Sequence, residues 1–211
     1  MTNFQSISRN LILAAAAIAI SSPHPAFADQ EASNTVHVAA APYGRCYAKS
    51  VPARVFDRDD EPRQLGQTNI YRVGEEDDVL IETYDWFAQS VFLHCPGASN
   101  PLIVRLGHWQ RGQDPKSDHL AIAFYKNGQT VKSYSTLDIA GGELTETPSF
   151  SRFKNVSASV SHYTVFKTPP ALVKIVKNEG TRFAEEWVVT ATTIDGRELV
   201  FDLKTGDIRD K

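Results

Sequence analysis

The densest group of residues able to do chemistry lies between positions 107 and 119 of this 211-residue chain. It contains an aromatic ring, Trp109, and a fixed cation, Arg111, between two imidazoles, His108 and His119. An aromatic plate, a cation and an imidazole together could hold an anionic or sugar-like ligand. The alternative is that the Trp109 ring packs under a loop while the polar side chains remain in water.

The same segment offers groups for acid–base catalysis. Asp114 and Asp118 place carboxylates near His108 and His119, and a hydrolase would need two of these four groups within hydrogen-bond reach. The sequence contains no G-x-S-x-G elbow, no phosphate-binding loop and no Rossmann glycine pattern. A hydrolase is therefore an alternative and not the first hypothesis.

A second aromatic segment, Tyr84–Phe87, contains Trp86. Its rings could form an exposed contact patch or pack at the edge of the core. No catalytic residue is assigned from the sequence. The candidate binding residues are Trp86, His108, Trp109, Arg111, Asp118 and His119.

Metal ions, cofactors and nucleic acids are not expected partners. No two histidines have the short spacing of a zinc site, and the acidic clusters at 57–61 and 75–78 lack the pattern of a calcium loop. The net charge of −3 gives no general attraction toward phosphate. We expect the partner to be a protein or small molecule of the cell envelope, and the oligomeric state stays open.

The first 28 residues have the features of a secretory signal peptide. An apolar run, Leu11–Ile20, precedes Ala26-Phe27-Ala28, which fits a small-x-small cleavage site. That run is about half the length a membrane-spanning helix needs. We therefore expect cleavage without a stable membrane anchor, a periplasmic or secreted location, a flexible leader at 29–42 and a single β-rich domain at 43–211.

The chain has two cysteines, Cys46 and Cys95. An oxidising compartment favours a disulfide between them. The alternative, a nucleophilic cysteine, lacks a recognisable catalytic frame, and a paired thiol is not available. We predict the disulfide.

The elements that must position these residues are β-strands. Leu120–Tyr125 and Thr130–Ser135 flank Asn127-Gly128, which is typical of a type I′ hairpin turn. A two-residue turn pairs Phe124 with Val131 and places both on the core face.

A second hairpin is predicted near the end of the chain. Trp187–Ile194 and Arg197–Leu203 flank Asp195-Gly196, and a two-residue turn would place Val188 on the same face as Phe201. Thr181–Trp187 is also a weak candidate for a helix.

Other segments complete an all-β pattern. A single helical turn is predicted at Thr136–Ala140, and the loops at 107–118 and 136–155 either carry a site or cap the ends of the fold. About ten strands built from hairpins predict an antiparallel β-sandwich or barrel. The remaining strands are predicted at Gln67–Val73, Asp78–Tyr84, Ser90–His94, Leu102–Leu106, Ser157–Phe166 and Leu172–Val176.

Six short blocks carry a resemblance to other proteins. They are Tyr43–Pro52, Ile70–Gly74, Tyr84–Trp86, Phe124–Gly128, Ser133–Asp138 and Ser159–Tyr163. Over about 43–208 the chain resembles a group of exported bacterial proteins to which no activity is assigned. The resemblance implies an extracytoplasmic setting and transfers no activity. We expect a non-enzymatic binding or interaction module, with a small-ligand carrier or a hydrolase as alternatives.

Overall fold

The computed structural model describes residues 35–55, 62–64, 66–97, 100–108, 114–141, 164–167, 170–179 and 182–209. Six sequence predictions fall wholly or mostly outside these ranges. They are the signal peptide at 1–28, the acidic cluster at 57–61, Trp109, Arg111, the loop at 136–155 and the strand at Ser157–Phe166.

The described chain is almost entirely antiparallel β-structure, as the sequence predicts. Eleven strands form three sheets. In spatial order, the first sheet contains β1 (His37–Ala40), β2 (Cys46–Val51), β5 (Gln67–Arg72) and β6 (Val79–Tyr84). The second contains β10 (Gln129–Ser135), β9 (Leu120–Lys126), β8 (Leu102–Leu106) and β7 (Val91–His94). The third contains β11 (Ala171–Glu179), β12 (Arg182–Thr192) and β13 (Glu198–Asp202). A separate ribbon pairs β3 (Arg54–Val55) with β4 (Pro62–Gln64).

The second sheet is buried on both of its faces. Along β9, Phe124 belongs to a core shared with the third sheet, where its ring centroid lies 5.5 Å from that of Phe201. Its neighbour Tyr125 belongs to a second core, shared with Ile70 of the first sheet. Successive side chains of a strand point to opposite faces, so the unbroken apolar run of β9 supplies both cores. The arrangement is sandwich-like.

The β9–β10 hairpin forms on the predicted turn. Asn127 and Gly128 have positive φ angles of 55° and 72°, as a type I′ turn requires. A bulge at Val131 then pairs Phe124 with Lys132, and Val131 is 41% exposed. The predicted pairing of Phe124 with Val131 is therefore wrong, because the extra residue shifts the following positions by one.

The β12–β13 hairpin has a three-residue turn in place of the predicted two. The N–H of Thr193 donates to the Arg197 carbonyl at 2.8 Å and closes the turn. Phe201 consequently pairs with Val189, so the prediction that Val188 shares its face is wrong.

Two further elements differ from the sequence predictions. β1 lies inside the segment predicted as a flexible leader, and its backbone pairs with β2. The helix considered at Thr181–Trp187 is wrong, because β12 begins at Arg182 and pairs with β11. Continuous backbone pairing of Arg182–Trp187 with β11 outweighs the weak local preference for a helix.

The short helix α1 (Thr136–Ala140) forms where the sequence predicts it. The Ser135 hydroxyl accepts a hydrogen bond from the Asp138 N–H, and the Asp138 carboxylate accepts one from the Ser135 N–H. This capping box satisfies two N–H groups at the helix start. Gly141 ends the helix with a φ of 123°.

Gly206, in the turn after β13, is expected to tolerate no side chain. Its φ is 74°, and a Cβ there would lie 2.5 Å from the Cβ of Lys132 and 2.9 Å from Cδ2 of Phe124. Gly128 also has a positive φ, but a Cβ there would meet open space. We expect Gly206→Ala to cost about 2–4 kcal/mol of unfolding free energy and Gly128→Ala about 1–2 kcal/mol. Urea denaturation of both variants measures this, and equal losses would contradict the steric argument.

Candidate functional site

A half-open pocket of about 280 Å³ lies where the second and third sheets meet. The end of β7, the start of β8, the middle of β12 and the residues after β13 form its walls. Pro96, Leu102 and Trp187 supply apolar surface. Cys95 follows β7 directly and is joined to Cys46 by the predicted disulfide. The cross-link therefore ties one wall of the pocket to the first sheet.

The His94 imidazole lies against the Trp187 indole. Their ring centroids are 4.4 Å apart and the planes are inclined by 38°. Burial lowers the pKa of His94 below its usual 6.5, so the ring is neutral at pH 7. Within the described ranges neither nitrogen of His94 has a hydrogen-bond partner. A neutral imidazole offers one donor and one acceptor, and both are available to a ligand.

Arg209 binds two of the carboxylates that line the pocket. Its Nη1 donates to Glu186 Oε2 at 2.7 Å, and its Nη2 donates to Asp202 Oδ2. Burial raises the pKa of Asp202, but the hydrogen bonds from Arg209 and from the N–H groups of Thr205 and Lys204 outweigh it and leave that pKa lowered. The hydrogen bond to Asp202 raises the pKa of Arg209. These three groups thus form a charged network at the pocket wall.

The third carboxylate of the pocket is also paired. Lys174 Nζ lies 2.6 Å from Glu185 Oε1. Lys204 differs from the other charged lining residues, because its ammonium has no ion-pair partner among the residues that the structure describes. Its backbone N–H donates to Asp202 Oδ1 at 2.8 Å, which fixes the base of the side chain. The pocket therefore presents one unpaired cation beside an apolar wall.

In the candidate binding segment at 107–119, the described residues are 107–108 and 114–119. His108, Asp114 and Asp118 are exposed, whereas His119 is half-buried and its carbonyl accepts a hydrogen bond from the Thr136 N–H at 2.7 Å. In the described part of the chain, the side chains of Asp118 and His119 form no hydrogen bond or ion pair. The pairing of His108 or His119 with Asp114 or Asp118 stays a prediction.

Trp86 lies in an aromatic cluster between the first and second sheets. Its ring centroid is 5.2 Å from those of Tyr84 and Tyr125, and the Arg105 guanidinium carbon lies 4.7 Å from it. Burial and the hydrogen bond to Glu82 raise the pKa of Tyr84, so its phenol stays protonated. The cluster packs against buried core residues. This placement corresponds to the core-edge packing considered as the alternative for Trp86.

The comparisons with known proteins add no functional information: no protein-family model, no curated protein and no solved structure matches the chain. Among the described residues, no helix is long and apolar enough to cross a membrane. The same residues contain no group of three or more His, Cys, Asp or Glu side chains that could hold a metal ion. The fold and pocket define a disulfide-linked all-β domain, and its function must be argued from the pocket.

Proposed function

We propose that this protein is a non-enzymatic binding module of an extracytoplasmic compartment, and that its pocket receives one side chain of a macromolecular partner. The observation that carries the proposal is an apolar wall, formed by Leu102 and Trp187, beside the polar groups of His94 and Lys204, which have no side-chain partner within the described ranges. The Cys46–Cys95 disulfide supports an oxidising location.

The size of the pocket favours a single anchoring group over a whole ligand. Sites for drug-sized molecules occupy about 300–1,000 Å³ and bury most of the ligand. This pocket has about 280 Å³ and is half open. Protein interfaces commonly place one buried aromatic or aliphatic side chain in a depression of this kind, surrounded by polar groups. The open shape of the pocket supports an interaction module ahead of a small-ligand carrier, which would bury most of its ligand.

The rings that line the pocket also favour a side chain over a sugar. Saccharide sites commonly use an open aromatic face, but one face of the Trp187 indole is covered by the His94 imidazole. Leu102 and Pro96 complete an apolar cleft around the indole. The inserted group is therefore aromatic or aliphatic.

Phenol, the analogue of a tyrosine side chain, tests this proposal. We expect phenol to shift the indole N–H resonance of Trp187 in ¹⁵N-labelled protein, with a dissociation constant on the order of 1 mM or weaker because the ligand is so small. Trp86, in the aromatic cluster between the first and second sheets, is an internal control whose indole resonance stays in place. A Trp187→Phe variant assigns the signal.

Two histidine variants locate the binding. His94→Ala removes one wall of the pocket and is expected to weaken phenol binding at least about threefold through lost contact area. His119→Ala, which changes a half-buried histidine outside the pocket, leaves the affinity unchanged. If phenol leaves Trp187 unmoved up to its solubility limit, or both histidine variants weaken binding equally, the proposed site is wrong.

A further inference from the structure

We infer that the group captured by the pocket is the C-terminal residue of a partner polypeptide, with its side chain against Trp187 and its α-carboxylate on the Lys204 ammonium. This inference rests on the proposed function and specifies its ligand. The evidence for the inference is the way the charged groups around the pocket are paired.

Each carboxylate that lines the pocket already has a cationic partner. Glu185 is paired with Lys174, and Glu186 and Asp202 share Arg209. The network of Arg209 with two carboxylates has a net charge of −1, and Lys204 forms no ion pair with either carboxylate. Among the residues that the structure describes, an approaching anion therefore finds one ammonium that is not in an ion pair, and a cation finds each lining carboxylate already paired.

The position of Lys204 is fixed by the turn that follows β13. Asp202 Oδ1 accepts the N–H groups of Lys204 at 2.8 Å and Thr205 at 3.0 Å, and the Asp202 carbonyl accepts the Gly206 N–H at 2.8 Å. The turn holds the backbone of Lys204 beside the apolar wall. A carboxylate bound by Lys204 therefore requires ordering of the exposed side chain but not of the backbone that carries it.

One ligand group must contact the apolar wall and also place an anion on the Lys204 ammonium. An aspartate or glutamate side chain supplies a carboxylate but no apolar surface, and an internal leucine or phenylalanine supplies no charge. The C-terminal residue of a polypeptide carries both on a single α-carbon. Capture of a terminal carboxylate is an established mode of peptide recognition.

The pKa of His94 provides a second test of the inferred complex. The charged groups that share the pocket with its ring are Glu185, Glu186, Asp202, Lys204 and Arg209. A bound carboxylate adds a negative charge near the imidazole and favours its protonated form. The pKa of His94, lowered by burial in the free protein, therefore rises when the ligand is an anion and not when it is neutral.

Peptides that differ only at the chain end test the inference on the full domain. We expect Gly-Ala-Phe with a free carboxylate to bind about five- to tenfold more tightly than its C-terminal amide. The reason is that the carboxylate forms a partly exposed, charge-assisted hydrogen bond, which the amide lacks. Phe-Ala-Gly, which has the carboxylate but a different terminal residue, binds more weakly than Gly-Ala-Phe. Titrations followed by the Trp187 indole resonance measure the affinities, and the His94 ring resonances measure its pKa.

A lysine variant and its matched control locate the carboxylate. Lys204→Met is expected to abolish the difference in affinity between acid and amide. Lys126→Met, at an exposed lysine at the end of β9, keeps the difference. A residual difference in Lys204→Met overturns the assignment of the anion to Lys204.

The remaining outcomes separate this inference from the proposed function. If the amide binds as tightly as the acid, or phenethylamine binds more tightly than both, the C-terminal assignment is overturned while the pocket stands. If N-acetylphenylalanine matches the peptide acid, the ligand is a small carboxylate and the polypeptide assignment is overturned. If neither the peptides nor phenol shift the indole resonance of Trp187, both proposals fail.

Discussion

Replacing Arg197 with alanine is expected to destabilise the domain by about 3–5 kcal/mol, because it leaves a buried carboxylate without its cation. The Asp195 side chain has no exposed area, and Arg197 Nε donates to its Oδ2 at 2.8 Å. Arg197 Nη2 also donates to the Ile139 carbonyl at 2.5 Å, so the guanidinium joins the β12–β13 turn to the end of α1. Guanidinium chloride denaturation of the variant measures the loss.

Two further variants show whether the loss comes from the buried charge. Lys174→Ala breaks the exposed ion pair with Glu185 and is expected to cost less than about 1 kcal/mol. Asp195→Asn combined with Arg197→Ala removes the stranded charge and recovers more than about 1 kcal/mol of the loss. The explanation is wrong if the double variant is no more stable than Arg197→Ala.

Removing the disulfide has an effect of similar size. The bonded cysteines are 49 residues apart, and the chain-entropy relation predicts that Cys46→Ser with Cys95→Ser costs about 4 kcal/mol. The cost arises because the unfolded chain has more conformational entropy when the disulfide no longer closes a loop. Thermal unfolding of the double serine variant and of the reduced wild-type protein should agree, since both lack the same cross-link.

The cross-link also bears on the pocket. Cys95 follows His94, so its release frees the end of β7 that carries the imidazole. We therefore expect the double serine variant to bind phenol more weakly at a temperature where it is still folded. If the double serine variant loses less than about 1 kcal/mol of unfolding free energy, the entropic explanation of the disulfide's contribution is wrong.

The strands and turns of this fold are largely predictable because they depend on local chemistry. Asn127-Gly128 specifies a type I′ turn through its own backbone preferences, and Gly141 ends α1 for the same reason. The bulge at Val131 is not predictable in this way. It depends on how β10 packs after the turn, which no run of neighbouring residues encodes.

The pocket is harder to predict than the fold. The sequence suggested an aromatic plate, a cation and an imidazole close together in the chain, between 107 and 119. The structure assembles the same residue types from separate elements, as His94, Trp187 and Lys204. Proximity in space depends on the register and packing of two sheets, which single-residue patterns do not reveal. The one local signal was the position of His94 beside a cysteine that had to be cross-linked.

The double burial of the second sheet determines where this protein is free to vary. Every side chain of β9 from Ala121 to Tyr125 is buried in one of the two cores, so a change at any of these positions disturbs one core or the other. Substitutions along β9 are therefore constrained by folding. Lys204 and Pro96, in contrast, lie on exposed segments beyond the ends of strands. Related proteins could exchange these rim residues, and with them the ligand preference, at little cost to folding.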